Sequence, residues 1–340
     1  MTSVQEIEAR LDKVLVPGVL RSPLNMNMLR GVTVDDGTAT VSLAAAALNP
    51  ALRDILSAEI GNLARDIDGV SDIRVDYVEA APKDLNTVKQ VVAVMSGKGG
   101  VGKSLVTALT AVALRRGGHD VGILDADITG PSIPRMFGLT GRPAGSENGL
   151  LPVPARSGIE VMSINLILPG EDDAVIWRGP LIARMITQFW EDVVWGKLDY
   201  LIVDLPPGTA DAPLTVLQSL PVSGVIVVFT PQDLTQMVVR KAVNMARKME
   251  KPIWGVVENM SYLKIPDTGK QLEVFGKSRG REMAEAAGAP LLASLPLDPS
   301  LAALCDAGDI EQYGGTVMEQ FADSLNAMLH EPLHDKDRAV

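Results

Sequence analysis

An apolar run, Val91-Val92-Ala93-Val94-Met95, leads into Gly97-Lys98-Gly99-Gly100-Val101-Gly102-Lys103-Ser104, after which Leu105, Val106, Leu109, Val112 and Ala113 recur at helical spacing. Buried strand, glycine loop and helix, in that order, restrict the chain to an α/β fold with a mostly parallel sheet. The pattern G-x-x-x-x-G-K-S adds chemistry: backbone N–H groups at a helix start converge on phosphate oxygens, Lys103 reaches the terminal phosphates, and Ser104 offers its hydroxyl to Mg²⁺. Gly97, Gly99, Gly100 and Gly102 leave the backbone room to do so. Lys98 is a second lysine inside a loop that is already complete without it.

Further β-rich runs follow the loop: Val121-Gly122-Ile123-Leu124, Tyr200-Leu201-Ile202-Val203, Val225-Ile226-Val227-Val228 and Ile253-Trp254-Gly255-Val256-Val257. Runs apolar on both faces predict strands covered by helices on both sides, with ligands at their carboxyl ends. Each run ends in polar or turn residues: Asp125, Asp204, Thr230-Pro231-Gln232 and Glu258-Asn259. Asp125-Ala126-Asp127 and Asp204-Leu205-Pro206-Pro207-Gly208-Thr209 supply what phosphate chemistry needs beyond a cradle, charge for a hydrated Mg²⁺ and a group to orient a water. Asp204 is the candidate acid acting on the metal through water, and Gly208 permits a loop that senses the terminal phosphate.

Ahead of the loop lies a different pattern. A helix carries Ile7, Leu11, Val14 and Leu15 inward; Val32 and Val34, then Val41 and Leu43, alternate around Asp35-Asp36-Gly37 as a hairpin; a helix from Pro50 to Ile67 and a strand through Ile73, Val75 and Tyr77 complete a small α+β unit. The turn-forming stretch Ala81-Pro82-Lys83-Asp84-Leu85-Asn86 places a boundary near 86, giving domains 1–86 and 87–332 and a polar tail, 333–340.

The formal net charge of −11 argues against neutralising nucleic-acid phosphates as the main task. No apolar run approaches the roughly 20 residues of a membrane span, and the N-terminus lacks a charged segment followed by an apolar signal core, so the expected location is cytoplasmic. Cys305 is the only cysteine, which excludes an intrachain disulfide and a closed thiolate metal site within one chain. Its setting, Leu301-Ala302-Ala303-Leu304-Cys305, predicts a small buried side chain. Helix 317–329 carries Met318, Phe321, Leu325 and Met328 but no lysine or arginine, a stripe that reads as core packing and not as a membrane or DNA face.

With these residues assembled, the chain resembles the Mrp/ApbC family of deviant P-loop ATPases, relatives of the nitrogenase iron protein, MinD and ParA. The resemblance runs from Val91 to about Leu329 through the phosphate loop, Leu124-Asp125-Ala126-Asp127-Ile128, Gly130-Pro131-Ser132-Ile133-Pro134-Arg135-Met136, Trp177-Arg178-Gly179-Pro180, Asp204 to Thr209, Thr230-Pro231-Gln232 and Val257-Glu258-Asn259-Met260-Ser261. It implies a homodimer that sandwiches two ATP molecules with Mg²⁺. Lys98 would cross to the partner's phosphates, Asp127 would position the attacking water, and Asn259 with the loop containing Pro296 and Asp298 would hold the adenine. The N-terminal unit resembles, more faintly, the MIP18-like domain found in iron–sulfur assembly factors. There Asn49-Pro50 stands where that family carries a reactive cysteine before a proline.

The chain departs from the family at its cargo. Mrp-type proteins commonly carry a C-x-x-C after the Asn-Met-Ser segment, and this chain has Ile265 and Thr268 at those positions. Two Cys305 thiolates from a dimer are too few for a cluster that takes four ligands, so stable iron–sulfur carriage is not expected. Ala210 replaces a glycine after Pro-Pro-Gly-Thr, and Leu105 replaces a small polar residue after Ser104. The resulting expectation is an ATPase whose dimer closure supports maturation of a client metalloprotein, together with an assembly factor or client as partner. The alternatives are a carrier using other ligands, a MinD/ParA-like positioning switch, and a nucleotide-binding scaffold with negligible turnover.

Overall fold

The computed structural model describes residues 3–127, 130, 132–167, 179–209, 211–232, 235–265 and 268–330. The Trp177-Arg178 segment, Ala210 and the tail 333–340 lie outside them. The chain forms two compact units: one holds the phosphate loop, with Val91–Gly118, Arg135–Phe137 and the chain from Ile202 onward; the other holds residues up to Gln90, His119–Pro134 and Gly138–Leu201.

In the phosphate-loop unit the strands Leu291–Ser294, Ile253–Glu258, Gly224–Phe229 and Thr87–Ser96 lie side by side in that order, all parallel. Lys197–Asp204 is the next neighbour. The apolar runs form these strands because both faces are covered: Val225 to Phe229 and Val256 to Val257 are buried throughout. Among the flanking helices, Lys103–Arg116 buries Val106, Leu109, Val112 and Leu114, and Thr316–His330 buries Met318, Phe321 and Leu325. The stripe on that last helix is core packing.

In the other unit Val121–Asp125 and Glu160–Ser163 pair in parallel, and Val153–Pro154 joins Glu160–Ser163 antiparallel. Mostly parallel strands flanked by helices are thus the architecture of the sheet. The unit also contains a three-stranded sheet, Leu29–Asp35 against Thr38–Ala44 and that strand parallel to Asp72–Val78. Its hairpin turns on two residues, Asp36 at φ +47° and Gly37 at φ +78°, the left-handed pair that matches strand twist.

Two local expectations need correction. Leu15 is 46% exposed and not inward, because the first helix ends at Leu11 and the chain turns away. The second helix is Pro50–Asn62, and residues 63–66 tighten into a 3₁₀ turn. The stretch around 81–86 is firmly held: Pro82–Leu85 forms one helical turn, Leu85 is buried, and the Asn86 side chain accepts from the N–H groups of Trp195 and Gly196 and donates to Val193 O. One apolar core joins Ile7, Leu11, Val41, Leu43, Leu56 and Ile60 to Leu151 and Val194.

Candidate functional site

Strand Thr87–Ser96 ends at a buried Ser96, whose hydroxyl donates to Lys98 O and whose carbonyl accepts from Gly208 N–H. The chain then turns through Gly100 (φ +78°) and Gly102 (φ +79°) into helix Lys103–Arg116. A Cβ at Gly100 would meet nothing within 4 Å, so that backbone is open to a ligand. At Gly102 a Cβ would stand 2.1 Å from Asn259 Nδ2, so glycine is required there on both conformational and steric grounds.

Asp204, at the end of Lys197–Asp204 and fully buried, gathers the side chains of the helix start. Lys103 Nζ lies 2.8 Å from its Oδ1, Thr107 Oγ1 donates to the same oxygen at 2.8 Å, and Ser104 Oγ donates to Oδ2 at 2.5 Å. Lys103, Ser104 and Thr107 fall on one side of the helix because three- and four-residue spacings share a face. A buried carboxylate with a cation and two hydroxyls is a satisfied group that can give up those partners to a metal and phosphates. Thr107 was not among the residues predicted from sequence; its signal is its place four residues after Lys103.

Lys98 is half-buried, and its Nζ donates to Gln232 Oε1 at 2.5 Å. Gln232 closes the Thr230-Pro231-Gln232 segment after strand Gly224–Phe229. Asn259 is buried, and its Nδ2 donates to Val101 O of the phosphate loop at 2.9 Å. Pro296 and Leu105 are half-buried.

Asp298 lies in the loop expected to hold the adenine. It is the N-cap of helix Pro299–Ala307, with Oδ1 accepting from Ser300 N–H at 2.8 Å and from Ser300 Oγ at 2.6 Å, while Oδ2 accepts from Tyr313 OH at 3.1 Å. Burial opposes its ionisation, but these donors together hold its carboxyl below the ordinary value. Burial, with Asp298 second, pushes the Tyr313 phenol well above its usual range.

In the other unit, Asp125 ends strand Val121–Asp125 and Asp127 follows two residues on. Asp125 is fully buried; its Oδ1 accepts from Asp127 N–H at 3.2 Å and its Oδ2 from Ser163 Oγ at 3.0 Å. Asp125 therefore shapes the turn that carries Asp127, itself 8% exposed.

The donor set around the loop, a lysine, two hydroxyls, a buried aspartate and an open glycine backbone, fits a magnesium nucleotide. For an iron–sulfur cluster the fit is poor. Among the described residues no group of three or more His, Cys, Asp or Glu is placed to hold a metal ion. Cys305 is half-buried, and burial, with Asp306 second, raises its thiol pKa, which disfavours the thiolate a metal needs. Ile265 lies in the turn joining Leu263–Lys264 to Gln271–Leu272; its N–H donates to Lys270 O and its carbonyl accepts from Gly269 N–H.

Residues 87–329 match the family described as "ParA: NUBPL iron-transfer P-loop NTPase". An iron–sulfur cluster carrier protein of Clostridium perfringens is 45% identical over 234 residues, 66% of this chain and 82% of that protein. One of Synechocystis sp. is 36% identical over 315 residues, 88% of this chain and 89% of the relative, so that match reaches into the N-terminal segment. Among solved structures, a nucleotide-binding protein from Archaeoglobus fulgidus in complex with ADP is 46% identical, covers 69% of this chain and 92% of its own, and superposes with a TM-score of 0.62.

Proposed function

The chain belongs to the NUBPL iron-transfer P-loop NTPase family of ParA type, and from that membership we propose that it binds and hydrolyses ATP as a closing homodimer, serving the maturation of iron–sulfur or other metalloprotein clients. The observation that carries the reading is the convergence of Lys103, Ser104 and Thr107 on buried Asp204 at the foot of an open glycine loop. Bound Mg-ATP supplies the phosphoryl group and the cation that offsets its charge. Lys103 and the N–H groups of 97–105 would hold the phosphates, Ser104 and Asp204 would hold the metal, and Asp127 would add charge for the metal and orient the attacking water. Lys98 leaves Gln232 to reach the partner's nucleotide, so its charge acts at the phosphoryl group only in the closed dimer. Asn259, Pro296 and the turn capped by Asp298 enclose the base.

The family's relatives are named cluster carriers, and this reading keeps their field while changing the task. With Ile265 and Thr268 at the family's cysteine positions and one cysteine in the chain, the protein acts as an ATP-driven chaperone of a client and does not hold the cluster on its own thiolates. The N-terminal segment 1–86, without a thiol, serves docking, and the cytoplasm is the compartment this work requires. Magnesium-dependent ATP turnover by the purified chain tests the core of the proposal: turnover that rises faster than linearly with protein concentration is expected, no turnover removes hydrolysis, and turnover strictly proportional to concentration removes its coupling to dimer closure.

A further inference from the structure

Glu258 ends strand Ile253–Glu258 with a fully buried carboxylate. Its Oε2 accepts from Ser261 Oγ at 2.7 Å, Ser278 Oγ at 2.6 Å and Ser294 Oγ at 3.5 Å, and its Oε1 accepts from Arg279 N–H at 2.7 Å. A carboxylate is tolerated at this depth only when donors saturate it. These donors come from three places: the loop after its own strand, the approach to helix Gly280–Ala287, and the end of strand Leu291–Ser294.

The backbone around it is joined in the same way. Leu295 N–H donates to Glu258 O, Ser261 N–H to Leu295 O, and Leu297 N–H to Tyr262 O, so 258–262 and 295–297 run as one hydrogen-bonded pair of loops. The next residue, Asn259, covers Gly102 and donates to Val101 O. Met260 sits at φ +56°, a left-handed conformation for a bulky residue that its neighbours must hold in place.

We propose that Glu258 is the positioning residue of the base end of the nucleotide site: its saturated carboxylate sets the 259–262 and 295–298 loops against the phosphate loop and thereby fixes the preference for adenine. This rests on the proposed reading that Asn259 and the Pro296–Asp298 loop enclose the base. Glu258 touches no ligand in this role, and its effect reaches the base through Asn259.

The test is calorimetric titration of the full chain, wild type and Glu258→Gln, with Mg-ATP, Mg-GTP and magnesium tripolyphosphate. Replacing the charged acceptor by an amide of the same shape should weaken ATP about tenfold, narrow the preference for ATP over GTP, and leave tripolyphosphate within about twofold. Unchanged ATP affinity, or a parallel loss for tripolyphosphate, overturns the inference. Ser278→Ala keeps the carboxylate and deletes one donor, and it should lower the ATP-to-tripolyphosphate affinity ratio in the same direction. If Glu258→Gln does not fold, Ser278→Ala decides, an unchanged ratio counting against the role. Wild type that binds tripolyphosphate as tightly as ATP sinks the base-site reading itself; a wild-type preference that survives both substitutions sinks only the part given to Glu258.

Discussion

Lys103 and Lys98 are five residues apart in one loop, yet their surroundings assign them different costs. Lys103 Nζ is the counter-charge of a fully buried Asp204, so Lys103→Ala removes the proposed phosphate contact and strands a carboxylate. Breaking such a pair costs about 3–5 kcal/mol of stability. Lys98 is half-buried with one bond to Gln232, and its truncation should cost less than about 0.5 kcal/mol. Urea unfolding followed by an ATPase assay separates the two: Lys103→Ala should lose stability and activity together, and Lys98→Ala activity alone. Full turnover by Lys98→Ala would end the crossing-lysine role. Asp298 carries a second prediction. Its carboxyl is held below its unfolded value, so the stability it contributes is complete above about pH 4 and is lost as pH falls through that value toward the lower folded one. Asparagine also caps helices, so comparing wild type with Asp298→Asn isolates the charge. The stability difference between them should be present at neutral pH and fade as pH falls below about 4 toward the lower folded value; a difference that stayed constant with pH would assign it to the cap alone. Lys103 and Ser104 were legible in sequence because the glycine loop sets them at fixed spacing, and Asp204 because it ends an apolar run. The bridges at Gln232 and Thr107 were not, because each depends on a partner far along the chain.

At the scale of elements, Asn49 has a structural task at the start of a helix. It N-caps helix Pro50–Asn62, its Oδ1 accepting from Leu52 N–H at 3.1 Å, while its Nδ2 donates to Gly145 O at 3.1 Å. Cysteine at this position would be a weak acceptor and would offer no amide donor. Asn49→Ala should therefore cost about 1–2 kcal/mol for the cap and tether together, and Asn49→Cys should recover little of it. Thermal or urea unfolding reads the difference; a cysteine variant as stable as wild type would show that the side chain's bonds contribute nothing. The strands and main helices of this segment were legible from alternation and period. Its fixed connection through Asn86 was not, since residues 81–86 have linker composition and the Asn86 side chain is held by bonds to Val193, Trp195 and Gly196, more than a hundred positions away. A buried cation has the same character: Arg21 donates to Trp195 O and Lys197 O and lies 3.4 Å from buried Glu160, and nothing near Arg21 in the sequence announces those partners.

For the molecule as a whole, the nucleotide machinery and the cargo site can be tested apart. The hairpin that replaces the family's cysteine segment keeps its pairing, Leu263 with Leu272 and Lys264 with Gln271, and the Ile265 and Gly269 backbone groups close its turn. Cysteines placed at 265 and 268 would thus enter a turn closed by two main-chain hydrogen bonds that survive the substitution, at the loss of the exposed 3.3 Å bond from Lys270 N–H to Thr268 Oγ1. Two chains bearing Ile265→Cys and Thr268→Cys would offer four thiolates, the number a cluster takes. Anaerobic reconstitution with iron and sulfide should leave the natural chain without a stoichiometric cluster and give the double variant a thiolate-to-iron absorption band at about four irons per dimer. The same preparation should hydrolyse ATP at the natural rate, because neither position contributes to the phosphate loop, Asp127 or Asp204. A full cluster on the natural chain would return it to the carriers its relatives are named for. Failure of the double variant to hold one would mean that the departure from the family extends beyond two side chains into the way two copies meet.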